Sequence, residues 1–164
     1  MRLLVKTSVL GGNALSSLRK LGACAAVAVV SASLMVGVSG VASASAADCA
    51  HGANGFVDIP DDLEGTVVAN SPGRSLTVEV GIVGGVKRGW ARAHGSEAAL
   101  GPGDSVWMDW SQDGGNTWLQ CGPFGTSSYV WSLTSAAKAT NPSPNWRFRG
   151  GAYFNGVMSL TPWY

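Results

Sequence analysis

Between Ser75 and Val83 the chain alternates: Leu76, Val78, Val80 and Ile82 fall on one side, Thr77, Glu79 and Gly81 on the other. That two-residue period predicts a half-buried strand whose apolar side faces a core and whose Glu79 faces solvent. Similar short runs recur along the second half of the molecule. Phe56–Ile59, Gly65–Ala69, Val86–His94, Ser105–Trp110, Thr117–Cys121, Tyr129–Thr134, Trp146–Arg149 and Gly156–Thr161 are β-branched or aromatic in character, and Gly, Pro, Asn and Asp clusters separate them. Gly84-Gly85 has the composition of a two-residue hairpin turn. Asn141-Pro142-Ser143-Pro144 reads as a rigid loop, and Ala136–Thr140 as one helical turn. The expected fold is all-β: a single-domain antiparallel sandwich, or small barrel, of eight or nine strands.

The first 46 residues do not share this pattern. They hold four basic residues (Arg2, Lys6, Arg19 and Lys20), no acid, and an apolar stretch from Leu21 to Val38. Small residues follow, and Ala44-Ser45-Ala46 fits the small-x-small cleavage pattern of a Sec-type signal peptide, with Ala42-Ser43-Ala44 as a neighbouring alternative. No twin arginine precedes the stretch. Leu21-Gly22-Ala23-Cys24 resembles a lipobox, but its apolar region follows the cysteine instead of preceding it, so Cys24 reads as part of the hydrophobic region. The division is therefore a signal peptide over 1–46 and one secreted domain over 47–164. Removing the four basic residues leaves seven Lys and Arg against ten acids, a net charge of −3 for 47–164. A net-negative domain with scattered cations has no electrostatic footprint for nucleic acid. No membrane-length apolar run follows residue 46.

Cys49 and Cys121 are the cysteines left in 47–164. In an oxidising compartment such a pair reads as a disulfide. Zinc is a poor alternative, because two cysteines without nearby histidines do not complete four ligands.

Ser111-Gln112-Asp113-Gly114-Gly115-Asn116-Thr117-Trp118 matches S-x-D-x-G-x-T-W at every fixed position. It resembles the Asp-box hairpins of sialidases and of unrelated secreted β proteins. Ser111, Asp113, Gly115, Thr117 and Trp118 are the turn-forming set: the Asp carboxylate accepts backbone N–H groups, the glycine reaches conformations other residues strain to adopt, and the aromatic packs beneath the hairpin. A wider stretch, GWARAHGSEAALGPGDSVWMDWSQDGGNTWLQCGPF with WRFRGG and TPWY, resembles a group of small secreted actinobacterial proteins. The resemblance implies an extracellular compartment and a β fold more than an activity. Members of that group often carry a second cysteine pair near the C-terminus, where this chain has Gly150-Gly151 and Ser159.

Catalytic constellations are sparse. His51 and His94 are the two histidines. Neither accompanies a nucleophile elbow, and both read as surface or packing residues. Glu79, Glu97, Asp104 and Asp109 are the carboxylates from which a glycosidase pair could be drawn, with nothing to single out two of them. No cofactor or metal is expected, and an enzyme is not the favoured reading.

Seven tryptophans offer more. Along Ser105–Ser111, Val106, Met108 and Trp110 take one face, and Trp107 and Asp109 the other. With the first set in the core, Trp107 and Asp109 would face outward as an aromatic platform beside a hydrogen-bonding acid, which is sugar-binding chemistry. Trp131, Trp146 with Arg147, and the terminal Trp163-Tyr164 are further candidates, while Trp110 and Trp118 are assigned to the core. The leading expectation is a secreted, non-catalytic module that binds cell-wall or environmental polysaccharide. The alternatives are a protein-binding module, such as a protease inhibitor using Asn141–Asn145, and a small glycoside hydrolase.

Overall fold

The computed structural model describes Ser45–Tyr164 apart from Arg74. All but the last two residues of the expected export segment, and Cys24 with it, lie outside the described residues. Two antiparallel sheets pack against each other as a β-sandwich. The first contains β1 (Phe56–Val57), β2 (Thr66–Asn70), β3 (Leu76–Val83), β4 (Val86–His94), β7 (Ser132–Thr134) and β8 (Ala137–Ala139). Its order is β1-β8-β4-β3-β2, with β7 also paired to β4. The second contains β5 (Ser105–Ser111), β6 (Leu119–Gly125), β9 (Arg147–Phe154) and β10 (Val157–Leu160), in the order β10-β9-β5-β6. Among the described residues no helix is long and apolar enough to cross a membrane.

Hairpin chemistry sets the register. Gly84 and Gly85 both have positive φ (59° and 78°) and join the paired Val83 and Val86, the backbone a two-residue turn needs to match strand twist. Asn155-Gly156 (φ 49° and 78°) does the same between β9 and β10. The alternating residues then meet: Leu76, Val78, Ala91 and Ala93 from one sheet pack with Val106, Met108, Phe148 and Ala152 from the other, alongside Phe56, Leu100 and Leu133. Gly89 lets Phe148 approach β4, since a Cβ there would come within 2.8 Å of the ring. The Cys49–Cys121 disulfide, with its Cα atoms 5.5 Å apart, ties the N-terminal turns to β6.

Three expectations are corrected here. Ile82 is 69% exposed instead of buried, because the β3–β4 hairpin continues past the core. Residues 137–139 form a strand, not a helical turn: Phe56 pairs with Lys138, and Lys138 with Gly89. Ladder bonds from two non-local partners override the helical preference of the alanines. Glu79 is 2% exposed, not solvated. The segment 58–65 straps the outer face of the first sheet over it. Along the strap, Asp61 Oδ1 accepts the Thr134 N–H (2.9 Å) and Glu64 pairs with Arg92 (3.0 Å). Glu79 accepts the Gly65 N–H (2.8 Å) and the Thr77 hydroxyl (2.9 Å), with Arg92 at 3.6 Å. Buried Trp90 lies beside Glu79 against Gly65 and Gly81, where a Cβ would come within 2.7 Å and 2.9 Å of its indole.

Candidate functional site

The outer face of the second sheet was the expected ligand surface, and its two central residues are not available to a ligand. Trp107 is 4% and Asp109 1% exposed. The alternation that turns them away from the core is as expected, with Val106 and Met108 inside. What the sequence hides is the neighbour. Trp107 pairs with Gly151 on β9, and a Cβ on Gly151 would fall inside its indole. The ring therefore folds flat onto β9 beside Tyr153, with centroids 5.4 Å apart. Asp109 pairs with Arg149, whose Nε (2.9 Å) and Nη2 (2.6 Å) both donate to Oδ2. Burial pushes the Asp109 carboxyl up, against the lowering effect of Arg149. The acid is a structural partner for Arg149, not an open hydrogen-bonding group.

Arg149 in turn lies against two aromatics, Trp118 at 4.9 Å and Trp163 at 4.5 Å from its guanidinium carbon, within cation–π range. Trp118, assigned to the core, sits instead on this outer face. Leu119, paired with Trp110, takes the inward position beside it. Trp110 is half-buried at the core margin, against Phe56 and Trp146.

The Asp-box turn is built as its residues suggest. Asp113 accepts the Thr117 N–H (2.9 Å) and hydroxyl (2.7 Å) and the Ser111 hydroxyl (2.8 Å). Ser111 Oγ accepts the Gly115 N–H (2.8 Å). The Thr117 hydroxyl, the Thr117 N–H and then Ser111 hold the Asp113 carboxyl down at about 2. Gly115 (φ 100°) seats Trp163, since a Cβ there would lie 3.0 Å from its Cε2. Every polar atom of Asp113 is thus engaged in the turn.

Exposed aromatic surface lies elsewhere. Tyr129 is 79% and Trp131 65% exposed. They flank Val130, which packs on the core and exchanges N–H···O bonds with Leu100 (2.8 and 2.9 Å). Each rests on a glycine: a Cβ would come within 2.9 Å of the Tyr129 ring at Gly101 and 3.0 Å of the Trp131 ring at Gly95. The Gly95 N–H donates to the Trp131 carbonyl (3.0 Å), fixing the segment. The result is a pair of backed aromatic side chains open to solvent. Trp131 was among the sequence candidates and Tyr129 was not, although their two-residue spacing already put them on one face.

Trp146 and Arg147 line a cleft of about 470 Å³ with Lys87, the 140–144 loop, Phe148 and Tyr164. The Trp146 indole N–H donates to the Ala139 carbonyl (3.1 Å). The ring also helps enclose the Lys138 ammonium together with Phe56 and Trp110, at 5.5, 5.4 and 4.1 Å. Lys138 donates to the Asn54 carbonyl. Burial, and then Arg88, lower its pKa.

The carboxylates considered for catalysis are dispersed. Glu79 and Asp109 occupy the outer faces of opposite sheets. Asp104 accepts the Gly101 N–H (2.9 Å) and the Asn155 N–H (2.8 Å), one on each oxygen. Glu97 is exposed. His51 is exposed and His94 half-buried. Among the described residues no group of three or more His, Cys, Asp and Glu gathers as metal ligands would. No protein-family model, curated protein or solved structure matches the chain.

Proposed function

We propose that this chain is a secreted, non-catalytic binding module for polysaccharide, and that Tyr129 and Trp131 carry the binding. The supporting observation is that two large aromatics, each backed by a glycine, are the most exposed of the large aromatic side chains described and flank the same inward-packed residue, Val130. An exposed aromatic pair costs solubility without adding to the core, so its retention on a folded surface points to a ligand. Pyranose rings present C–H faces that stack on aromatic faces while their hydroxyls stay hydrated, and rigid aromatics lose little conformational freedom on binding. Export is supported by the apolar leader and by the disulfide, which persists in oxidising compartments.

Pull-down of the oxidised protein on insoluble polysaccharides and bacterial cell walls tests this, with Tyr129→Ala and Trp131→Ala in parallel. Binding that is lost in both variants at unchanged melting temperature is the expected result. Binding unaltered in both, or absent from every matrix, overturns the proposal.

Ser45 bears on processing. It bridges to Cys121, and its hydroxyl accepts the Ala47 N–H (3.0 Å) at the first turn. Cleavage after Ala44 keeps those contacts, whereas cleavage after Ala46 discards them; the intact mass of the exported protein distinguishes the two. A second reading, binding to an extracellular protein, is favoured by the exposed Asn141–Asn145 loop. Its Asn141 Oδ1 accepts the Ser143 N–H (2.9 Å), which rigidifies the turn. Stoichiometric inhibition of a secreted protease would support that reading.

A further inference from the structure

We infer that the cleft lined by Lys87, Trp146, Arg147 and Tyr164 receives a carboxylate-bearing sugar residue, so that the polymer recognised is an acidic polysaccharide. This rests on the polysaccharide reading above but concerns a different place in the fold. Lys87 stands near the start of β4, whereas His94 at its end pairs with Ser132, next to Trp131. Seven residues of strand separate the two, about 24 Å.

The charge distribution carries the inference. Among the described residues the ion pairs employ Arg92, with Glu64 and Glu79, and Arg149, with Asp109. Lys138 is enclosed by three rings and the Asn54 carbonyl. Arg88 donates to the Gly55 carbonyl (3.4 Å). Lys87 and Arg147 both line the cleft, neither belongs to any of these pairs, and no acidic side chain lines the walls. Residues 1–44, which are not described, contain no Asp or Glu that could supply a partner. A domain of net negative charge therefore brings to one concavity two cations that have no side-chain ion-pair partner.

The remaining walls fit a sugar ring. Trp146 is held by its bond to Ala139 and by its edge contact with Trp110, at 4.8 Å between centroids. Tyr164 is pinned by reciprocal main-chain bonds with Phe148 (2.8 and 3.0 Å). Thr140, Asn141 and Ser143 bring hydroxyl and amide groups to the same cleft. A volume of about 470 Å³ lies within the range of small-ligand sites, roughly 300–1,000 Å³. Arg147 supplies the planar fork that pairs with a carboxylate, and Lys87 adds a point charge.

The test is a titration of the oxidised full chain, followed by amide chemical shifts, with trigalacturonate as the acidic probe and cellotriose as the neutral one. Trigalacturonate is expected to shift Lys87, Trp146, Arg147 and Tyr164. Arg147→Gln and Lys87→Gln should each weaken that binding about tenfold, the size of one charge-assisted contact. Lys87 is exposed, so its variant keeps the experiment interpretable if Arg147→Gln fails to fold. The inference is overturned if those amides do not shift, if both variants bind as the parent does, or if inorganic phosphate competes as well as the uronate. The two readings fail separately. Loss of insoluble-polymer binding in Trp131→Ala with no uronate effect at the cleft removes only this inference, whereas uronate binding at the cleft with an inert Trp131 removes only the platform.

Discussion

Trp107→Ala separates the surface expected from the alternation from the one that the structure presents. If Trp107 were an outward platform, its truncation would abolish binding and leave stability alone. Its burial at 4% exposure predicts the reverse. Truncating a buried Trp or Phe costs about 3–5 kcal/mol, according to how far the site can collapse. Here it collapses poorly: the indole rests on Gly151 and is backed by Gly122, where a Cβ would lie 2.8 Å from Trp107 Cβ. Those floors are backbone, and Tyr153 is the ring packed beside the indole. The upper half of the range applies, about 4–5 kcal/mol. At about 3–6 °C per kcal/mol for a domain of this size, the melting temperature should fall by roughly 12–30 °C. Calorimetry and urea unfolding of the oxidised protein measure it. Trp131→Ala, at 65% exposure, should stay within about 0.5 kcal/mol of the parent. A Trp107→Ala protein that melts within about 2 °C of the parent but no longer binds polysaccharide would refute the argument and restore the outward site.

Three further outcomes follow from the same geometry. Removing the disulfide as the Cys49→Ala/Cys121→Ala pair opens a loop of sequence separation 72, for which chain entropy gives about 4 kcal/mol; a loss under about 1 kcal/mol in urea would contradict that account. Gly65→Ala forces a methyl to within 2.7 Å of the Trp90 indole and 2.8 Å of the Val80 carbonyl, so destabilisation of about 1–3 kcal/mol is expected, with increased amide exchange along the 58–65 strap. Asp113 has a carboxyl held down at about 2 in the fold against an ordinary 3.8. The stability it contributes is therefore present above pH about 4 and lost as pH falls through about 2, and thermal melts of Asp113→Asn between pH 2 and 5 should show a flatter acid limb than the parent.

What was legible in the chain was local. Leu76, Val78 and Val80 announce their strand because a two-residue period is a property of the strand itself. Gly84-Gly85 announces its turn because positive φ at two consecutive residues belongs to glycine. The Asp-box residues announce their hydrogen bonds because all the partners lie within Ser111–Thr117. Assigning the Cys49–Cys121 bridge required no more than counting. Illegible were the facts that depend on a distant partner. Ala136–Thr140 carries no sign that Phe56 and Gly89 will flank it, and Glu79 shows no sign of the strap that arrives over it.

The aromatic residues bring that limit to one physical point. Alternation tells which side of a sheet a ring leaves from, but not whether its outer face is then covered. Trp107 on Gly151, Trp90 on Gly65 and Gly81, Trp131 on Gly95 and Tyr129 on Gly101 are the same construction, a ring seated where a glycine leaves room. Trp107 and Trp90 are buried, while Trp131 and Tyr129 are open to water. The glycine beneath is common to both outcomes, so the ring and its seat do not decide function. Coverage of the other face does, and it depends on whether the seat lies within a sheet, with strands on both sides, or at its margin. Gly151 belongs to β9, an inner strand of its sheet, and Gly81 to β3, an inner strand of the other. Gly95 and Gly101 lie in the connection between β4 and β5, beyond the ladder. A ring seated at a margin keeps a free face, and that geometric difference moves the exposed aromatic surface from Trp107 to Tyr129 and Trp131.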